Sequence, residues 1–119
     1  MSAVSAETMA PTAKTPRGFG MLLRLLGQNW SSGSLTVLLP NGESHRLEGK
    51  EPGLHAVLDV KDYRFARRVL ASGDIGFAEG YMAGEWDTPQ LATLLETLVR
   101  NYDHIRRLFD GNPVMQAVN

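Results

Sequence analysis

Between Gly73 and Asp87 the chain reads GDIGFAEGYMAGEWD, with glycines at 73, 76, 80 and 84. Spacings of three, four and four put all of them on one side of a helix, and Phe77 and Tyr81, four apart, on a neighbouring side. Glycine inside a helix costs roughly 1 kcal/mol relative to alanine. A helix that repeats it at its own period therefore predicts a packing joint, where a missing Cβ lets another element come close while the aromatics fill core. Gly73 is then the stop of a preceding helix. Trp86 leads into an Asp87–Thr88 cap of the next. The acids Asp74, Glu79, Glu85 and Asp87 read as caps and as ion-pair partners for Arg64, Arg67 or Arg68, rather than as acid/base catalysts.

The flanking segments supply what such a joint would hold together. GFGMLLRLLGQNW, residues 18–30, is a short amphipathic helix with Phe19, Leu22, Leu23, Leu26 and Trp30 at helical spacing and Arg24 outward. It packs into the domain, docks on a partner or rests on a lipid surface. SLTVLLPNGESHRLEG then predicts a hairpin, because Asn41-Gly42 tolerates the positive φ of a tight turn. Gly49 and Pro52-Gly53 break the chain before LHAVLDV, which alternates Leu54, Ala56, Leu58 and Val60 with His55, Val57 and Asp59. Three antiparallel strands follow from this pattern.

Asp62 caps a helix over DYRFARRVLAS. One arc carries Tyr63, Phe65, Ala66, Val69 and Leu70, and the opposite one Lys61, Arg64, Arg67 and Arg68. Thr88-Pro89 starts the last helical region, with Leu91, Leu94, Leu95, Leu98 and Val99 on one face and Tyr102, Ile105 and Phe109 continuing it past a break near Asn101. The fold class is α+β: a small antiparallel sheet packed by helices. Residues 1–17 read as a disordered Ala/Ser/Thr/Pro-rich lead, 31–110 as the α+β domain and 111–119 as a tail or truncated linker.

Several chemistries find no support. With no cysteine among 119 residues there is no thiolate nucleophile, disulfide or Cys-based zinc site. His45, His55 and His104 lie on different elements without ligand spacing. No phosphate-binding loop or nucleophile elbow occurs. A net charge of -1 and the absence of an aromatic-interleaved basic field argue against nucleic acid. No stretch approaches the roughly 18 apolar residues a spanning helix requires. The composition suits a cytoplasmic protein, with Lys61, Arg64, Arg67 and Arg68 as a patch for a lipid headgroup or an acidic partner, and Phe19, Leu22, Leu23 and Leu26 as apolar contacts for lipid or partner.

Over residues 33 to 101, GSLTVLLPNG and PGLHAVLDVKDYRFARRVLASGDIGFAEGYMAGEWDTPQLATLLETLVRN resemble the amino-terminal domain of the cyclopropane-fatty-acyl-phospholipid synthase family. The signature is Gly73, Asp74, Gly76, Phe77, Glu79, Gly80, Tyr81, Gly84, Trp86 and Asp87. The resemblance implies an accessory domain of an S-adenosylmethionine-dependent lipid methyltransferase. The cofactor and catalytic residues would belong to a Rossmann-like domain beyond this sequence, so no catalytic residue and no cofactor is assigned here. Implied partners are that catalytic domain, in cis or in trans, and a phospholipid surface at the inner face of the membrane; a separate reading of the Leu91–Phe109 face is an interaction module that joins a second copy of the chain. The element order is also similar to sterol-carrier-type lipid-binding domains. A stand-alone lipid carrier is accordingly the alternative.

Overall fold

The computed structural model describes the backbone of residues 15–111 and the side chains of residues 15–107. Most of the expected disordered lead, the 112–119 part of the tail and the side chain of Phe109 lie outside these described residues. The elements run α1 (Arg17–Gln28), β1 (Ser32–Leu38), β2 (Ser44–Glu48), β3 (Glu51–Val60), α2 (Arg64–Met82), β4 (Trp86–Asp87), α3 (Leu91–Arg100) and α4 (Tyr102–Gly111). The fold is α+β, a sheet packed by helices.

The hairpin forms where Asn41-Gly42 predicts it. Gly42 adopts φ 91°, its N–H donates to Leu39 O at 3.0 Å, and Asn41 Oδ1 accepts from Glu43 N at 3.0 Å. The sheet has four strands, in the order β2-β1-β3-β4. Two of its three pairings are antiparallel, and β1 with β3 is parallel, which departs from the expected all-antiparallel arrangement. The reason is where β2 sits. It leaves β1 through the hairpin and occupies one side, so residues 39–50, β2 included, serve as the crossover that a parallel neighbour requires. The chain then passes under the start of β1 at a close approach. A Cβ on Gly49 would strike the Ser31 and Ser32 backbone, and one on Gly33 the backbone of Leu54. The short fourth strand arises because Val60 pairs with Trp86 and Asp59 with Asp87.

Alternation along the strands turns one face inward. Leu35 lies between Leu47 on β2 and Ala56 on β3, and Val37 is level with Leu58. All five are buried, and they form one core with Phe19, Leu23, Trp30, Val60, Phe65, Trp86 and Leu94. Burial of each such large side chain contributes roughly 1.5–3 kcal/mol.

The helices differ from expectation in three places. Trp30 lies beyond the end of α1 yet is buried. The last helical region begins at Leu91, not at Thr88. The Thr88 hydroxyl instead donates to Val57 O at 2.6 Å, tying the segment to β3. The leucine face of α3 is also divided: Leu94 is fully buried and Leu98 partly, whereas Leu91, Leu95 and Val99 are exposed, Val99 at 71%. Thr97 and Asn101 take the inner positions that the apolar pattern assigned to leucines.

Candidate functional site

An apolar cleft of about 440 Å³ lies between the inner face of the sheet and the helices. α1 contributes Phe19, Leu22, Leu23 and Leu26; β1, β2 and β3 contribute Leu35, Val37, Leu47 and Leu58; α2 adds Phe65, Val69, Leu70 and Phe77. Leu94, Leu98, Tyr102 and Ile105 close it from α3 and α4, together with Trp30. Exposed Gly73, Asp74 and Arg106 complete the lining at its rim. The four apolar residues of α1 singled out from the sequence thus converge on this cleft, while Met21 and Arg24 stay at the surface. Its volume falls within the range of about 300–1,000 Å³ typical of small-molecule sites.

The glycine-rich joint shapes one wall. Gly73, at φ 58°, ψ -130°, breaks the helical path inside α2 and so divides it into two helical pieces, as a glycine stop there predicts. The second piece folds against the first. Gly76 and Gly80 are both buried, and a Cβ on Gly76 would strike the Arg68 carbonyl, while one on Gly80 would come within 2.8 Å of Phe65 Cβ. The aromatics then stack. Phe77 lies 4.2 Å from Trp86 between ring centroids, Tyr81 lies 4.7 Å from it, and Phe65 meets Phe77 edge-on at 6.4 Å. Trp86 Nε1 donates to Phe77 O at 2.8 Å. Gly84, at φ 76°, turns the chain out of the helix.

Glu85, one of the acids expected to pair with the arginines, locks this joint. It is only 5% exposed and accepts a bidentate pair from Arg68, Nε to Oε1 at 2.9 Å and Nη2 to Oε2 at 3.0 Å. The Glu85 carbonyl also accepts from Lys61 N and Asp62 N. The interaction reaches across the Gly73 break. Glu79, another of the acids expected to pair with this face, adds only a longer-range field at Arg68, because the break brings Glu85 to the guanidinium instead.

The other members of the basic set are engaged locally. Lys61 Nζ lies 2.9 Å from Asp59 Oδ2, and this hydrogen-bonded pair raises the lysine pKa. Asp62 accepts from Arg64 N and from the Arg64 guanidinium, which hold its carboxyl below the ordinary value of 3.8 and raise that of the arginine. Asp62 thus receives the first backbone N–H of α2, as a cap would. Arg67 is exposed and has no ion-pair partner among the described residues.

Among the described residues no group of three His, Cys, Asp or Glu side chains could hold a metal ion. His55 Nδ1 lies 2.7 Å from Ser34 Oγ, but Ser34 is buried in β1 and the pair joins two directly opposed residues of β1 and β3. It is a cross-strand link. Sequence reasoning saw Asn101 only as a helix break and missed its long-range role, because its partners Ser31 and Ser32 lie far away in the chain.

No family model and no solved structure matches the chain. The chain is 27% identical over 110 residues to tuberculostearic acid methyltransferase UfaA1 of Mycobacterium tuberculosis, a match covering 87% of this chain and 25% of that protein. No helix among the described residues is long and apolar enough to cross a membrane. This chain is therefore similar to a lipid methyltransferase and spans about a quarter of that relative's length.

Proposed function

We propose that this chain is a non-catalytic amino-terminal accessory domain of a cyclopropane-synthase-like, S-adenosylmethionine-dependent methyltransferase, which holds a lipid acyl chain in its cleft and positions the catalytic domain. The observation that carries this reading is the cleft of about 440 Å³ with its leucine, valine and phenylalanine walls. Such a surface excludes water and gains by burying alkyl chain. The methyltransferase part is supported by the resemblance over residues 33 to 101 and by the likeness to UfaA1. In this reading the residues of this chain bind and orient, and the methyl donor sits in the catalytic domain, in the same chain or in a partner. Arg67 is the member of the basic set with a charge left for a lipid phosphate, since Lys61, Arg64 and Arg68 are paired with Asp59, Asp62 and Glu85.

Delipidated full chain titrated with a fluorescent fatty acid tests the proposal. Saturable uptake near one equivalent is expected, with marked loss in Leu70→Trp, which fills the cleft. A protein that takes up none sinks the acyl-binding part. The cleft is bounded by this chain's own residues, which also favours a second reading as a stand-alone carrier. Co-purification with a methyltransferase subunit supports the accessory role, and uptake with no such association supports the carrier.

A further inference from the structure

We infer that the cleft takes its lipid tail first and reads a zwitterionic head at its rim, Arg106 meeting the phosphate and Asp74 the ammonium. The inference rests on the acyl-chain reading of the cleft. Among the described residues that line it, only Asp74 and Arg106 are charged, and both are exposed. The other exposed lining residues are Gly73 and Tyr102, so the opening lies between the Gly73 turn of α2 and the first turns of α4. The rest of the lining is leucine, isoleucine, valine and phenylalanine, with the buried Trp30. A charged head carried inward would lose its water and meet no charged partner in that wall. At the rim it keeps its water while the alkyl chain takes the apolar surface.

The rim carries both signs of charge. Tyr102 and Arg106 stand four apart on α4 and so share one side of that helix. Arg106 makes another interaction in the molecule, yet the five N–H groups of a guanidinium serve more than one acceptor. On the α2 side, Asp74 Oδ1 accepts from Ile75 N at 3.1 Å, a contact that leaves Oδ2 to a cation. A purely anionic head gains from Arg106 and is opposed by Asp74, whereas a head bearing a phosphate and an ammonium gains from both. Arg67 does not line the cleft, so its charge bears on lipid outside the bound molecule.

The test compares three oleoyl glycerolipids that share one chain and differ in the head: 1-oleoyl-glycerophosphoethanolamine, 1-oleoyl-glycerophosphoglycerol and the uncharged 1-oleoylglycerol. Each is delivered from cyclodextrin to the delipidated full chain and followed by calorimetric titration. The ethanolamine lipid should bind about three- to fivefold more tightly than the uncharged one, the upper range for exposed ion pairs. The phosphoglycerol lipid should fall between them. Asp74→Asn, which keeps an oxygen for Ile75 N, should make the two phosphate lipids equal. Arg106→Gln should bring both down towards 1-oleoylglycerol, whose affinity reports whether a variant's cleft is intact. The ethanolamine preference should also fade in 1 M salt, where the screening length drops to about 3 Å. Equal affinity for all three heads, or a phosphoglycerol lipid favoured over the ethanolamine one, would overturn the inference and leave the acyl-binding cleft standing. Failure of all three to bind would overturn both.

Discussion

Asn101 and Ser32 exchange a pair of hydrogen bonds across 69 residues of chain: Ser32 N donates to Asn101 Oδ1 at 3.2 Å, and Asn101 Nδ2 donates to Ser32 O at 3.1 Å. The same Oδ1 accepts from Ser31 N at 2.7 Å, and the amide also donates to Thr97 O at 2.9 Å. One fully buried side chain thus imitates a strand neighbour for the start of β1 while sitting at the α3–α4 junction. Replacing it strands buried backbone donors and acceptors, each costing about 1–3 kcal/mol. Asn101→Ala should destabilise the fold by about 2–3 kcal/mol in urea unfolding. Asn101→Asp should not rescue it, because a carboxylate has no donor for Ser32 O or Thr97 O. A change under about 0.5 kcal/mol, the range of ordinary surface substitutions, would refute the latch.

The glycines of the joint separate by mechanism. Gly76 meets Arg68 backbone, whereas Gly84 has open space around it and a φ of 76°. Gly76→Ala should cost about 3 kcal/mol through forced displacement of packed helix. Gly84→Ala should cost about 1–2 kcal/mol, the penalty of a left-handed conformation alone. Thermal melting of the two variants checks the order, and the reverse order would contradict the close approach of the two halves of α2.

Arg68 and Arg67 are adjacent in sequence and should behave differently. Arg68→Met leaves the buried Glu85 carboxylate without its bidentate donor and should lower the denaturation midpoint. Arg67→Met should fall within about 0.5 kcal/mol of the parent in stability. It should nevertheless weaken sedimentation with phosphatidylglycerol vesicles if Arg67 meets lipid phosphate. Chemical denaturation paired with vesicle sedimentation separates the two effects.

The two sides of α3 make a further contrast. Leu98 packs against the core and lines the cleft, while Val99 is exposed. Leu98→Lys should lower stability by about 2–3 kcal/mol and reduce fatty-acid uptake. Val99→Lys should leave both unchanged. Should the chain self-associate through this face, light scattering would show Val99→Lys shifting the assembly towards the monomer while the fold stays intact.

How much of this was legible depends on how far each feature reaches along the chain. The Asn41-Gly42 turn, the break at Gly73 and the Phe77–Tyr81 side of the joint are set by a residue's own φ and by neighbours within one or two turns. Those features were readable. The five apolar residues at helical spacing across α3 were readable as amphipathic but not as oriented, since periodicity marks an arc and not which edge of it meets the sheet. Glu85 was grouped with the other acids of its segment, because only the turn at Gly73 decides that it, and not Glu79, reaches Arg68.

By itself the sequence determined a small α+β unit: where the chain turns, which stretches are helical and which strand residues face inward, all consequences of local sterics and hydrophobic period. Tertiary structure decided that β3 runs parallel to β1, that Asn101 completes the start of β1, and that α1, α2, α3 and α4 pack over the sheet around a cleft. Each of these depends on groups brought together from distant parts of the chain. Burial and hydrogen-bond satisfaction are properties of that assembled neighbourhood and are not written in any one segment.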